Sequence, residues 1–516
     1  MKYLKYLYFE NIYTPKVKKL ENVFTLTNNL ICVNFTNIDI SKVTSMIGLF
    51  SGKTFGTILF QNVSSNSLID ISKMFYNAKI YNSLDLSGLN TSKVKNMESM
   101  FESYSMNIIN ISYLDTSSVI NMNNLFSNCK TLKSLYISNF NTLNVETMEN
   151  MFSNCTKVEF LDLSSFNTPK LVSVQGMFKG CESLTSINLG YFDGSFITNM
   201  KGFFSMCSKL KDIELSNIIA NRIENMNEMF YKCNNLETLN LQNFDTKNVK
   251  DFSKMFYECN NLEYIQVNNF NTFSAIGNAF EKMFYNCYNL KSFDLSKFET
   301  YSVTSMNQMF YHCFKLEELN LEKFNTKSVI DMQQMFAGCK KITSLDLSTF
   351  DTSKVLTMEE MFSDCENLQY INFINIKADS LLNMSGMFKN CRNLNYVNLL
   401  KLDIFGNLTI SNITYGTNDN IIYCINDESK AIIIAEEFKK LENAKNNCTL
   451  LCKLEDTTYI SVIGFAQLIA KMKKLINIFW IINAWMIVLI LHLMNIFYLI
   501  YAIKVAYLMI FLRRNV

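Results

Sequence analysis

The chain repeats itself every 26 residues for about four-fifths of its length. One unit runs from Met335-Phe336 through Cys339, Ile342, Leu345, Leu347, Phe350, Thr352, Val355 and Met358, and Met361-Phe362 opens the next. The repeat Phe recurs at Phe24, Phe50, Phe75, Phe101, Phe126, Phe152, Phe178, Phe204, Phe230, Phe256, Phe284, Phe310, Phe336, Phe362 and Phe388. The steps are 26 residues except for two of 25 and one of 28, so the phase never breaks. A fixed period in the range of roughly 20–50 residues means a solenoid. No single unit can bury its apolar face alone, and stacking buries each on its neighbours in one continuous core.

Each unit contains Leu-x-x-Leu-x-Leu, as in Leu290-Lys-Ser-Phe293-Asp-Leu295. Alternation at period two predicts a short strand with one buried face. The second half spaces Val303, Met306, Met309 and Phe310 about three residues apart, which predicts a helical or 3₁₀ turn with its apolar side inward. A corner rich in Ser, Asn and Thr, such as 164–168, joins the two by bonding local backbone. Sixteen strand segments are expected, from Leu4 to Leu394. The weakest lies near Gly56, where the pattern lapses through Phe55–Ser67, and the 28-residue step implies a loop insertion near Phe273–Ile276. The expected architecture is an α/β repeat solenoid with one parallel sheet, helical or 3₁₀ turns opposite, and a C-terminal membrane segment.

The unit Met-Phe-x-x-Cys-x-x-Leu-x-x-Leu-x-Leu-Ser-x-Phe-Asn/Asp-Thr-x-x-Val-x-x-Met resembles the BspA-type leucine-rich repeat of bacterial and protist surface proteins. The resemblance covers roughly residues 4–404. It implies a right-handed leucine-rich-repeat coil, and a cell-surface protein used in adhesion or in host and matrix contact.

A formal net charge of +2 argues against a nucleic-acid groove driven by counterion release. Of 15 cysteines, eleven sit three residues after the repeat Phe: Cys129, Cys155, Cys181, Cys207, Cys233, Cys259, Cys287, Cys313, Cys339, Cys365 and Cys391. They are expected as a column of small buried thiols, since an odd ladder cannot fully pair and buried Cys behaves as a small hydrophobe. Outside the column, a disulfide from Cys424 to Cys448 or Cys452 would tie down the end of the solenoid. A zinc half-site at Cys448-x-x-x-Cys452 lacks partners, because His312 and His492 are the only histidines.

Three segments are expected: the solenoid over residues 1–405, a Cys-containing juxtamembrane cap or linker over 406–458, and a membrane segment over 459–516. Within the last, Leu475–Leu512 carries Lys504 as its only charge and ends at Arg513-Arg514. A span needs about 20 apolar residues, so this stretch is either one long helix or a tight hairpin turning near His492–Asn495. Basic residues flank both ends, which leaves the orientation open. At the other end Met1 leads at once into a half-repeat, with neither an apolar leader nor a polar capping unit. This beginning reads as truncated, or as that of a tail-anchored protein.

No P-loop, dinucleotide fingerprint or Gly-x-Ser-x-Gly appears, and no cofactor, metal or catalytic group is expected. His312 and Cys313 make a dyad only on paper, since adjacent residues point apart. The candidate site is a surface. Between the last two apolar positions of each strand lie Tyr136, Asp162, Asn188, Glu214, Asn240, Gln266, Asp294, Asn320, Asp346, Asn372 and Asn398, and one column over lie Tyr264, Tyr370 and Tyr396. Tyrosines beside amides and carboxylates suit polar ligands. The expected function is a non-enzymatic, membrane-anchored adhesin or receptor-like protein presenting this face to a protein or glycan. The alternative is an intracellular tail-anchored scaffold.

Overall fold

In the computed structural model, residues 4–27, 30–215, 218–267, 270–404, 406–426 and 431–448 are described. The chain forms two units, 1–447 and 448–516, and the architecture below is that of the first. It is a β-solenoid of about 17 turns with parallel strands.

The strands follow from the alternation. Phe160–Asp162 runs exposed, buried, exposed, with Leu161 inward. Neighbouring rungs pair in register, so that Phe9 stands beside Phe35 and Leu345 beside Ile371. Where the strands shrink to three residues, a second line of parallel bridges carries the stack onward, from Ser45 through Asp70, Asn96 and Asn121 to Thr147.

The Met-Phe half is buried as expected, but it is neither α-helical nor 3₁₀. In one rung Leu125 N–H bonds Met122 O and Cys129 N–H bonds Phe126 O. The third residues of these turns, Asn124 and Asn128, have φ of 54° and 59°. Positive φ at that position is the mark of a type II turn. The alternate amides point along the stack instead: Asn124, Phe126 and Asn128 donate to Glu149, Met151 and Ser153 of the next rung. A helix would spend those N–H groups within the rung and leave neighbouring coils unbonded. The same left-handed positions are held by Lys254, Gln308 and Glu360 elsewhere, at a cost of about 1–2 kcal/mol for an ordinary residue. The only α-helix among the described residues is α1, Ile432–Lys439.

The corner threonines also reach further than expected. Thr300 is fully buried, donates to Asn325 O at 2.7 Å, and accepts from Asn325 N–H at 2.8 Å. Thr116, Thr142 and Thr246 clamp Asn141, Asn167 and Asn271 in the same way. These bonds are between rungs, while the Asn and Asp side chains supply the local ones.

The repeat Phe residues form a stack through the whole core. Ring centroids are 5.1 Å apart at Phe24–Phe50 and 5.9 Å at Phe362–Phe388, with rings nearly parallel throughout. Apolar burial on this scale, at about 25 cal/mol per Å², is the main force holding the coil closed.

Three expectations need correction. The rung near Gly56 is not weak: Thr54–Gln61 is the longest strand, and its Phe55, Ile58 and Phe60 are buried. Aromatic and β-branched residues replace leucine there, so a leucine template misses it. The insertion falls just past Phe273–Ile276. Ile276 N–H bonds Lys250 O in the ordinary way, yet Phe252 N–H reaches Ala279 O, so the extra length lies at Gly277 and Asn278. Finally, the sheet does not stop at residue 405. Ile422–Cys424 pairs in parallel with Tyr396–Asn398, and Lys445–Asn446 pairs beyond it. α1 closes this end by setting Phe438 against Phe388 and Tyr423. Neither the added rung nor α1 carries the Met-Phe-x-x-Cys signature, which is why the repeat pattern misses them.

Candidate functional site

The outward column named from the sequence proves to be mostly turn chemistry. Asp162 Oδ1 accepts the Ser164 N–H at 3.0 Å. Asn188, Asn240, Asp294, Asn320, Asp346 and Asn398 do the same for the amide two residues on. This bond ends the strand and turns the chain, which explains why the position selects Asn or Asp. Several of these side chains also bond each other along the stack, Asn188 to Asp162 and Asn372 to Asp346. Their polar atoms are therefore largely committed to the fold.

Exposure divides the remaining candidates. Tyr136 is 55% exposed and Tyr264 49%, and Glu214 and Gln266 are also exposed. Lys291 sits 5.0 Å over the Tyr264 ring while bonding Glu263 at 2.6 Å. Tyr370 stacks on Tyr396 at 5.2 Å. Tyr396 and Asn398, expected on the open face, are buried. They are not on the last strand. Ile422 and Cys424 stand beside them in register, and Cys424 is buried too.

The sequence reading missed the apolar part of this face. Ile108 and Phe160 are each 54% exposed and lie on neighbouring rungs to Tyr136. Tyr81 is also exposed, with its hydroxyl close over Gly56. Tyr6 and Tyr8 project from the first rung in the same columns. Ile108 and Phe160 occupy the column of Tyr264 and Tyr370, on earlier rungs, where the sequence reading named only the tyrosines.

On another side, Tyr231, Tyr257, Tyr285 and Tyr311 stack at 4.6–4.8 Å. Ring faces used against each other leave only edges and hydroxyls to solvent. Burial and the Glu258 carboxylate push the Tyr257 hydroxyl pKa up, so it stays protonated.

The cysteine column is structural. All eleven thiols are buried and free. Each donates to the carbonyl of the repeat Phe one rung back, as Cys233 does to Phe204 O at 3.1 Å and Cys313 to Phe284 O at 3.2 Å. Thr417 occupies the equivalent place on the added rung and gives Phe388 O the same bond at 2.9 Å. The position thus selects a small donor. Burial pushes the Cys233 thiol up to about 12. The Cys313 thiol is likewise raised well above 9 by burial, and burial lowers His312, so both groups of the paper dyad rest neutral. A protonated, enclosed thiol is no nucleophile. Cys424 and Cys448 are disulfide-bonded, and Cys452 lies outside the described residues.

Among the described residues no three His, Cys, Asp or Glu side chains are placed to hold a metal ion. Nor, among them, is any helix long and apolar enough to cross a membrane, and Leu475–Leu512 lies outside them.

The chain belongs to the family described as "Mycoplasma protein of unknown function, DUF285", whose model matches residues 18–108, 102–187, 178–292 and 278–400. No curated protein matches it. Among solved structures it is similar to a leucine-rich repeat protein from Bacteroides ovatus, at 18% identity and a TM-score of 0.39, over 82% of this chain and 92% of that one.

Proposed function

We propose that this member of the family is a non-enzymatic surface binding protein of the BspA type, held in the membrane through Leu475–Leu512. It presents the outward face of its sheet to a protein or glycan. The observation that carries this reading is the cluster of Ile108, Tyr136 and Phe160, each more than half exposed on consecutive rungs. Apolar and aromatic side chains held rigidly on strands give contact area at little entropic cost. The disulfide state of Cys424 and Cys448 supports an oxidising compartment, and so the outside of the cell.

Beads coated with the full chain test the reading by their adherence to matrix-coated and cell-coated surfaces. Replacing Ile108, Tyr136 and Phe160 together by Ser should lower adherence at least tenfold, with the fold retained. Undiminished adherence of the variant would contradict it.

A further inference from the structure

An open cleft of about 720 Å³ on the first rungs is lined by Pro15, Lys16, Lys18, Lys42, Thr44 and Ser67. We propose that it is a binding site for a phosphate- or sulfate-bearing anion, separate from the sheet face.

Some lysines of the solenoid meet a glutamate on a neighbouring rung, as Lys250 does Glu224, Lys291 does Glu263 and Lys340 does Glu366, at 2.6–2.8 Å. The cleft gathers lysines without such a partner. Tyr13 pairs with Asp39 and Lys19 with Ser45, so Lys16 stands beside Lys42 in the same column. Like charges side by side on neighbouring turns repel each other. Among the described residues Lys16, Lys18 and Lys42 make no ion pair.

The nearby acids are already engaged. Glu21 pairs with Lys19 and accepts from Ser45, and Asp39 accepts the Ser41 N–H at 2.8 Å while lying near Lys42. Thr44 gives its hydroxyl to Lys18 O, whereas Ser67 has no hydrogen-bond partner among the described residues. Three ammonium groups, one available hydroxyl and no uncommitted carboxylate form a cationic pocket. An oxyanion of two or more charges bridges such lysines and removes their repulsion. The volume leaves room for the organic body that carries it.

Calorimetry on the full chain at low salt, with tripolyphosphate and with a sulfated hexasaccharide as separate probes, tests this. At least one probe should bind, and the tighter of the two identifies the source of the anion. Lys16→Ala, Lys18→Ala and Lys42→Ala combined should weaken binding at least tenfold, with no loss of thermal stability, because all three side chains are exposed. Lys93→Ala with Lys95→Ala, in the same two columns on the fourth rung but outside the cleft, should leave binding intact. No binding of either probe, or an equal loss in the two variants, would overturn the proposal.

Discussion

The buried polar residues hold one coil to the next. Thr300 is enclosed and bonded on both sides to Asn325. Thr300→Val keeps the shape and strands the partly buried N–H and C=O of Asn325, each costing about 1–3 kcal/mol when unmet. Urea unfolding should therefore show a loss of about 2–4 kcal/mol. The thiols make a pH prediction with a definite sign. Cys181 and Cys233 sit near 12 in the fold, raised by burial from an ordinary 9. A group raised on folding gives its full stabilisation below the unfolded value, and loses it as pH climbs through the folded one. Stability should fall between about pH 9 and pH 12, by up to about 1.4 kcal/mol per pH unit for each thiol. Cys181→Ser with Cys233→Ser keeps a donor of the Thr417 kind and removes two titrating groups. Unfolding at pH 8 and 10.5 should show a shallower decline in that variant than in the wild type.

A single rung has no stability apart from its neighbours. Phe310 is fully buried between Phe284 at 5.4 Å and Phe336 at 5.8 Å. Phe310→Ala should cost about 3–5 kcal/mol through lost transfer energy and a cavity. Because coupling passes between adjacent units, the first amides to exchange faster should lie within 284–340. Hydrogen exchange unaltered over that span would contradict nearest-neighbour stacking. Gly88 probes the backbone directly. A Cβ there would lie 2.2 Å from Phe60 O, so Gly88→Ala should displace the rung and lower thermal stability by several degrees.

Much at this scale was legible because period and alternation report burial. The strand, the Phe stack and the buried Cys column follow from spacing alone. The turns were not legible. A three-residue apolar step fits a helix and a pair of type II turns equally well, and only the direction of the N–H groups separates them. The candidate face was half legible. Asn and Asp at the strand end looked like ligand donors, and Asp162 and Asp346 are spent on the turn. Ile108 and Phe160 were overlooked because only the tyrosines of their column were read as ligand groups.

The stack over residues 1–447, closed at one end by α1, displays two distinct surfaces: an apolar patch on the sheet and a lysine cleft on the first rungs. A surface binding protein, as proposed, turns both surfaces outward from the cell. The most direct measurement is protease digestion of intact cells that make the protein, followed by digestion after permeabilisation. The repeats between residues 18 and 400 should be cleaved on intact cells. Repeats that resist external protease and are cut only once the membrane is opened would contradict it.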